Sequence, residues 1–337
     1  MRRASHLFIP QPRSAIRYPL STIHYPLSTI FHATIPMNLL NKLVVATLPL
    51  VPKPLVRYFA NRYIAGETIG EAVKTVQHLN NEGVCATLDV LGEDVASRSD
   101  ALESSQASVQ VLHAITREHL DSNLSIKLTS LGLKLGNAFC TDQVRGILEV
   151  ASDQGVFVRI DMEDSSCTSD TLSIFKTVNA EYPATGIVVQ ACLFRTEADV
   201  RDLVQSGTNF RLCKGIYKEA PSIAFQGRQE VQQNYLKLLR IMLENRCRVG
   251  IATHDVILVD GALKMIHEMG LRQNEYEFQM LLGVCPDLRR KLVRDGHKVR
   301  LYVPFGVNWY GYSTRRFKEN PEIAGYVFKA LFTPGPP

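Results

Sequence analysis

A chain of 337 residues that is 45% hydrophobic and 21% charged can build one large domain or two modest ones, and wholesale disorder is excluded. Its net charge of +5 is mild, and the cations of the first 66 residues (Arg2, Arg3, Arg13, Arg17, Lys42, Lys53, Arg57 and Arg62) meet no Asp or Glu. The rest of the chain is therefore close to neutral, and no basic stripe points to nucleic acid. The 7 cysteines are odd in number, scattered and never spaced C-x-x-C, which suits reduced, mostly buried thiols in a cytosol, with no disulfide framework and no metal site.

Residues 1–36 are acid-free and interrupted by proline, and Tyr18-Pro19-Leu20-Ser21-Thr22-Ile23 recurs as Tyr25-Pro26-Leu27-Ser28-Thr29-Ile30. A tandem that occurs twice and stops defines no repeat fold. We read this segment as a disordered leader with Met37 as the natural start, residues 37–83 as N-terminal helices, and residues 84–330 as the catalytic domain. The apolar stretch Leu43 to Val51 is too short to span a bilayer and ends at Pro52 and Pro54. Flanked by Lys42, Lys53 and Arg57, it suits a peripheral contact at the inner face of the cell membrane. After Gly66, the run Glu67 to Val73 starts an amphipathic helix expected to cap the lower end of the domain.

From Val84 onward, short β-rich apolar runs alternate with segments of helical periodicity. The runs are Val84–Leu91, Ser125–Thr129, Phe157–Met162, Gly186–Ala191, Phe210–Gly215, Val249–His254, Tyr276–Leu281 and Arg300–Phe305. They start roughly 25 to 40 residues apart, the size of one strand-plus-helix unit. Between them, Asp142–Asp153 and Val231–Leu243 carry apolar residues at helical spacing. The alternation predicts an α/β fold, a (βα)8 barrel with extra N-terminal helices. A doubly wound sheet is the alternative, but no G-x-G-x-x-G marks a dinucleotide turn.

Chemistry in such a barrel sits at the C-terminal ends of the strands. Lys127, Asp161, Gln190, Arg211, Lys214, Thr253, His254, Glu277, Gln279 and Tyr302 fall at or near those ends. One lysine, aspartate or histidine there is commonly a cap or a satisfied structural residue, but bland explanations would have to recur at nearly every strand. Cations outnumber carboxylates in this set, which points to an anionic ligand. Beyond the last strand, Tyr312-Ser313-Thr314-Arg315-Arg316-Phe317-Lys318-Glu319 puts Tyr312, Arg315, Arg316 and Glu319 on one helix face. Paired arginines grip a small carboxylate by bidentate bonds; the plainer reading is a solvated Arg315–Glu319 ion pair.

Seven motifs in this order resemble the proline dehydrogenases, of the short monofunctional bacterial form: Ser125-Ile126-Lys127-Leu128-Thr129, Arg159-Ile160-Asp161-Met162-Glu163, Val189-Gln190-Ala191, Arg211-Leu212-Cys213-Lys214-Gly215-Ile216-Tyr217, Ala252-Thr253-His254, Tyr276-Glu277-Phe278-Gln279 and Tyr312-x-x-Arg315-Arg316-x-x-Glu319. The resemblance runs from about Asn41 to Tyr326 and implies a flavoenzyme that binds FAD without a Rossmann domain, oxidises L-proline to pyrroline-5-carboxylate and passes electrons to a quinone. It implies that Arg315, Arg316 and Lys127 hold the proline carboxylate, with Glu319 paired to them. It makes Asp161 and Arg211 the catalytic polar residues, Arg211 also touching the flavin. Met162, Gln190, Lys214, Gly215, Ile216, Thr253 and His254 become FAD contacts, and Leu281, Tyr302 and Tyr312 the wall against the pyrrolidine ring. Ile216 and Cys213 depart from the family's usual alanine and valine, which bears on how tightly the cofactor is held. Tyr302 is the residue type of proline-specific members.

Two other readings remain at this level. A class I aldolase-like barrel would use Lys127 or Lys214 as a Schiff-base nucleophile. A non-catalytic barrel would only bind an amino acid.

Overall fold

The computed structural model describes Arg57, residues 60–92 and residues 94–313. Residues 1–56 lie outside the described residues, and with them the leader, Met37 and the apolar stretch from Leu43 to Val51. So does the segment holding Arg315, Arg316 and Glu319. Among the described residues, no helix is long and apolar enough to cross a membrane.

Eight strands form one closed parallel barrel in sequence order: β1 (Cys85–Val90), β2 (Ser122–Ile126), β3 (Val158–Ile160), β4 (Thr185–Gln190), β5 (Asn209–Cys213), β6 (Val249–Ala252), β7 (Tyr276–Leu281) and β8 (Val299–Phe305). β8 closes on β1 in parallel register, Cys85 opposite Arg300 and Asp89 opposite Pro304. Around the barrel run α1 (Ile69–Asn81), α2 (Arg98–Arg117), α3 (Asn137–Asp153), α4 (Thr168–Glu181), α5 (Thr196–Leu203), α6 (Arg228–Glu244), α7 (Val256–Met269) and α8 (Pro286–Arg294). The barrel expected from the alternation is thus the fold observed.

Several strands end earlier than their apolar runs. β2 begins at Ser122 and ends at Ile126, so Lys127 leads out of the strand and Thr129 opens a 3-10 turn. β3 stops at Ile160, leaving Asp161 and Met162 in the loop above it, and Lys214 and Gly215 likewise follow β5. β6 stops at Ala252, so Thr253 and His254 also stand beyond their strand. In each case the chain leaves the ladder where a polar side chain must turn into the barrel mouth.

α1 begins with a capping box in which Thr68 and Glu71 satisfy each other's backbone N–H groups. Its buried residues Ala72, Val73, Val76 and Leu79 recur at helical spacing and pack over β1 and β8. The helix therefore covers the outer wall and does not cap the lower end. The expectation failed because periodicity identifies an apolar face but not the surface that receives it.

The strands alternate between two environments. Leu88, Leu124, Ile160, Ile187, Phe210, Ile251, Phe278 and Leu301 belong to the continuous apolar core. Their neighbours Thr87, Ser125, Arg159, Arg211, Glu277, Gln279 and Arg300 are buried and polar. The interior is held by hydrogen bonds between strands, Arg211 Nε to Gln279 Oε1 at 2.5 Å and Arg300 Nε to Glu277 Oε1 at 2.8 Å. Barrels of this class more often fill that space with branched apolar side chains. Here buried charge is compensated within the barrel, at a desolvation cost that close ion pairing offsets.

Candidate active site

A cavity of about 950 Å³ opens at the C-terminal ends of the strands. Lys127, Asp161, Met162, Gln190, Arg211, Lys214, Gly215, Ile216, Thr253, His254, Leu281, Tyr302 and Tyr312 all line it. Of the strand-end residues expected from the sequence, all but Glu277 are therefore brought to one pocket. Residues 309–313 are helical, which carries Tyr312 over the cavity from beyond β8.

At the base of the cavity, five residues from five strands or their ends form one ionic network. Lys127 Nζ donates to Asp89 Oδ1 at 2.7 Å and to the Tyr302 hydroxyl at 3.0 Å, and lies 3.6 Å from Asp161 Oδ2. Tyr302 in turn donates to Asp161 Oδ2 at 2.8 Å. Arg211 Nη1 donates to Asp161 Oδ1 at 2.6 Å, an oxygen that Ser125 also reaches at 2.6 Å. The Arg211 guanidinium stands 5.3 Å from the centre of the Tyr302 ring.

These contacts set the charge states. Burial opposes the Lys127 ammonium, but Asp89, Tyr302 and Asp161 outweigh it and hold the group well above ordinary lysine. Burial likewise opposes ionised Asp161, yet Arg211 and Lys127 pull its carboxyl below the usual range. Asp89 moves the other way, since burial dominates and Lys127 offsets it only partly. Burial, with Asp161 and Asp89, pushes the Tyr302 phenol well up. The resting network is thus a lysine cation, an ionised Asp161, a neutral phenol and an arginine. Two of the three ammonium hydrogens of Lys127 are engaged, which leaves one without a hydrogen bond among the described residues. Arg211 engages Nε and Nη1, which leaves Nη2 without a hydrogen bond among the described residues.

A second cluster lies on the wall formed by the ends of β5 and β6. Asp255 accepts from Lys214 at 3.2 Å, Arg228 at 3.3 Å and Gln232 at 2.9 Å. His254 Nε2 accepts the backbone N–H of Leu281 at 2.9 Å, which fixes the imidazole and its tautomer. Gln190 Nε2 donates to the Glu163 carbonyl at 2.8 Å. Gly215 has φ +101, and a Cβ there would collide with Cys192 Sγ and crowd Gln190 Oε1. Only glycine suits that conformation in that space, and its bare backbone lets a ligand approach the loop closely. Beside it Ile216 is 48% exposed, so its bulk is accommodated at the rim. Cys213 is no nucleophile, because burial pushes its thiol up to about 12.

The sequence reading missed Asp89, Asp255 and Glu163. Asp89 is the only acidic residue in the otherwise apolar and neutral run Cys85–Val90, a signal as strong as Lys127 in its own strand. Glu163 accepts from the Thr129 backbone at 3.0 Å and so secures the loop after β2 to the loop after β3. Glu277 was expected at the mouth and is not there. It is the second residue of β7, pairs with Arg300 at 2.8 Å, and lines a separate cavity at the opposite end. Gln279, two residues on, is the one that reaches the mouth.

Fold and pocket together are those of a (βα)8 barrel whose charged residues gather in one cavity at the strand ends. Comparison with known proteins is specific. The sequence profile described as proline dehydrogenase matches residues 72–328. Proline dehydrogenase 1 of Bacillus subtilis subsp. natto is 38% identical over 275 residues, which is 82% of this chain and 91% of that protein. The proline dehydrogenase of Deinococcus radiodurans is 33% identical over 277 residues, 81% of this chain and 89% of that one. The chain belongs to the proline dehydrogenase family and is of the short, monofunctional type. Among solved structures, proline utilization A from Bdellovibrio bacteriovorus, inactivated by N-propargylglycine, shares the fold with a TM-score of 0.76 at 24% identity. That match covers 84% of this chain and 36% of the longer one.

Proposed function

We propose that the protein is an FAD-dependent proline dehydrogenase that oxidises L-proline to pyrroline-5-carboxylate, the first step of proline catabolism to glutamate, with a quinone as electron acceptor. The observation that carries this reading is the Lys127–Asp89–Tyr302–Asp161–Arg211 network at the cavity floor, formed by residues from five separate segments in a chain of this family. Bound FAD would supply the two-electron acceptor. The cavity lies at the upper end of the ~300–1,000 Å³ range of ligand pockets, and its wall suits a dinucleotide. Lys214, Lys218 and Arg228 line it near Asp255, a cationic excess matched to a diphosphate, and Gly215 leaves its backbone open. Gln190, Thr253, His254, Met162 and Ile216 complete the set of residues that would hold the cofactor.

The chain's own residues supply position and charge. Lys127 offers its remaining hydrogen to the proline carboxylate, and Asp89 and Tyr302 keep that ammonium from swinging away. Arg315 and Arg316, which lie outside the described residues, would complete the carboxylate grip with Glu319 as their counter-charge, and Leu281, Tyr302 and Tyr312 would pack on the pyrrolidine ring. Fixing a substrate at several cationic points raises its effective concentration at the reacting centre by several orders of magnitude. Hydride loss leaves positive charge on the substrate nitrogen, so the amine must arrive neutral. Lys127 and Arg211 disfavour a further cation beside them. Arg211 Nη2, without a hydrogen bond among the described residues, would be the donor that stabilises negative charge on the acceptor.

The aldolase-like alternative loses support at Lys127, because a Schiff-base lysine must be readily deprotonated and the ion pairs of Lys127 do the opposite, while Lys214 is engaged by Asp255 at 3.2 Å. Family membership supports the quinone and, with it, a cytoplasmic enzyme that meets the membrane at its periphery. The decisive experiment is the visible spectrum of the purified protein before and after L-proline. A flavin spectrum bleached anaerobically by proline, and reoxidised by a soluble quinone, is expected. A protein that takes up no FAD, or whose bound FAD proline leaves oxidised, refutes the proposal.

A further inference from the structure

The wall at the ends of β5 and β6 carries a buried carboxylate where the proposed cofactor calls for positive charge. Asp255 lines the cavity together with Lys214, Lys218 and Arg228, and its side chain is only 3% exposed. Set beside a diphosphate, a carboxylate by itself repels. The hydrogen bonds of Asp255 give it a different task.

Asp255 is fixed from its own side of the wall. Its backbone N–H donates to Thr253 Oγ1 at 3.1 Å, and its Oδ1 accepts the Ile257 N–H at 3.3 Å as the N-cap of α7. Buried Gln232 donates to Oδ2 at 2.9 Å. Burial opposes the charge, but Gln232, Lys214 and Arg228 hold the carboxyl below its ordinary value, so it is ionised at neutral pH. The same Oδ2 receives two cations, Lys214 Nζ at 3.2 Å and Arg228 Nη2 at 3.3 Å. These partners are the loose ones, since the Lys214 side chain is 40% exposed and that of Arg228 74%. Neither makes another ion pair among the described residues. Lys214 follows β5, Arg228 opens α6, and Gln232 stands one turn further on the same helix face. One immobile oxygen thus gathers two mobile cations from separate elements, and their nitrogens stand no further apart than two hydrogen bonds.

We infer that Asp255 is a positioning residue of the cofactor site: it holds Lys214 and Arg228 side by side at the cavity wall as a preset pair for the diphosphate of FAD. This role rests on the flavin reading and deepens it. Two cations around one anion keep a surplus of one positive charge, and Lys218 on the same wall adds to it. Attraction for a diphosphate therefore survives the carboxylate. What the carboxylate adds is order, because long cationic side chains that are already placed lose less freedom when a ligand binds. Without it, the two like charges repel each other and swing into solvent on their exposed stems. Asp255→Asn removes the anion while its amide oxygen still caps α7, since Asn and Asp cap helices equally well. Charge alone predicts that this variant binds FAD more tightly; loss of position predicts weaker binding.

The test titrates the full chain, stripped of flavin, with FAD in a calorimeter. Asp255→Asn is expected to weaken FAD binding by about tenfold, the equivalent of one charge-assisted contact. In a Lys214→Ala background the same substitution is expected to cost less than about threefold, because its partner is gone. Arg228→Gln, a change at an exposed side chain, is expected to weaken FAD binding by about threefold. FAD bound by Asp255→Asn as tightly as by the wild type, or more tightly, overturns the assignment. So does a loss that persists undiminished without Lys214, which makes Asp255 a structural residue only. Binding unchanged in Arg228→Gln overturns the preset pair, and that surface variant decides the matter even where Asp255→Asn fails to fold. A wild-type chain that takes up no FAD removes the flavin reading itself, a result distinct from FAD held equally by wild type and variant.

Discussion

Glu277 offers a quantitative check on the polar interior of the barrel. Its carboxylate is 5% exposed and accepts from Arg300 at 2.8 Å and from Gln279 at 2.6 Å. Burial opposes the charge, but Arg300 prevails and brings the carboxyl from its ordinary 4.5 to about 2. At about 1.36 kcal/mol per unit, ionised Glu277 stabilises the fold by roughly 3 kcal/mol at neutral pH. The sign follows from the depressed value: the unfolded chain takes up the proton first, so this stability is complete above about pH 5 and is lost as pH falls toward 2. Roughly 2 kcal/mol of it disappears between pH 6 and 3. Glu277→Gln keeps the shape, leaves the Arg300 guanidinium buried without its counter-ion, and is expected to cost about 3 kcal/mol or more at pH 7. Urea unfolding midpoints of both proteins across pH 6 to 3 measure the gap, which is expected to narrow by roughly 2 kcal/mol toward acid. A gap that stays constant with pH would show that Glu277 is not the ionised partner of Arg300, and the reasoning for the whole interior would fall with it.

Arg315→Ala or Arg316→Ala is expected to raise the KM for proline far more than it alters flavin content; near-wild-type KM in both would remove them from the carboxylate grip. Lys214→Ala is expected to lower FAD retention, read as the ratio of flavin to protein absorbance after gel filtration, and full retention would contradict the wall assignment. Tyr302→Phe deletes the hydroxyl that bridges Lys127 and Asp161, so kcat/KM is expected to fall by about tenfold, the equivalent of ~1.4 kcal/mol. Unchanged kinetics in that variant would separate the network from catalysis.

Much of this was legible along the chain because the signals are local. A parallel barrel strand has a period of two and is followed by a helix of period 3.6, so eight repeats of that pair announce themselves without any contact being known. Polar residues that end apolar runs, such as Lys127, Asp161, Lys214 and His254, carry their position with them. The sequence also shows that Glu277, Gln279 and Leu281 share one face of β7, since they are spaced by two.

What the sequence by itself could not decide is height within the barrel. Gln279 stands opposite Arg300 and Ala252, and Leu281 opposite Tyr302, only because the eight strands close with one register. That register sends Glu277 to the lower cavity and Gln279 to the mouth, and brings Asp89 of β1 against Lys127 after β2. Which carboxylate answers which cation is therefore a property of ring closure, since a staggered sheet assigns each side chain a level that no single strand contains. Charge pairing, and with it the protonation states on which chemistry depends, is decided only when the barrel closes.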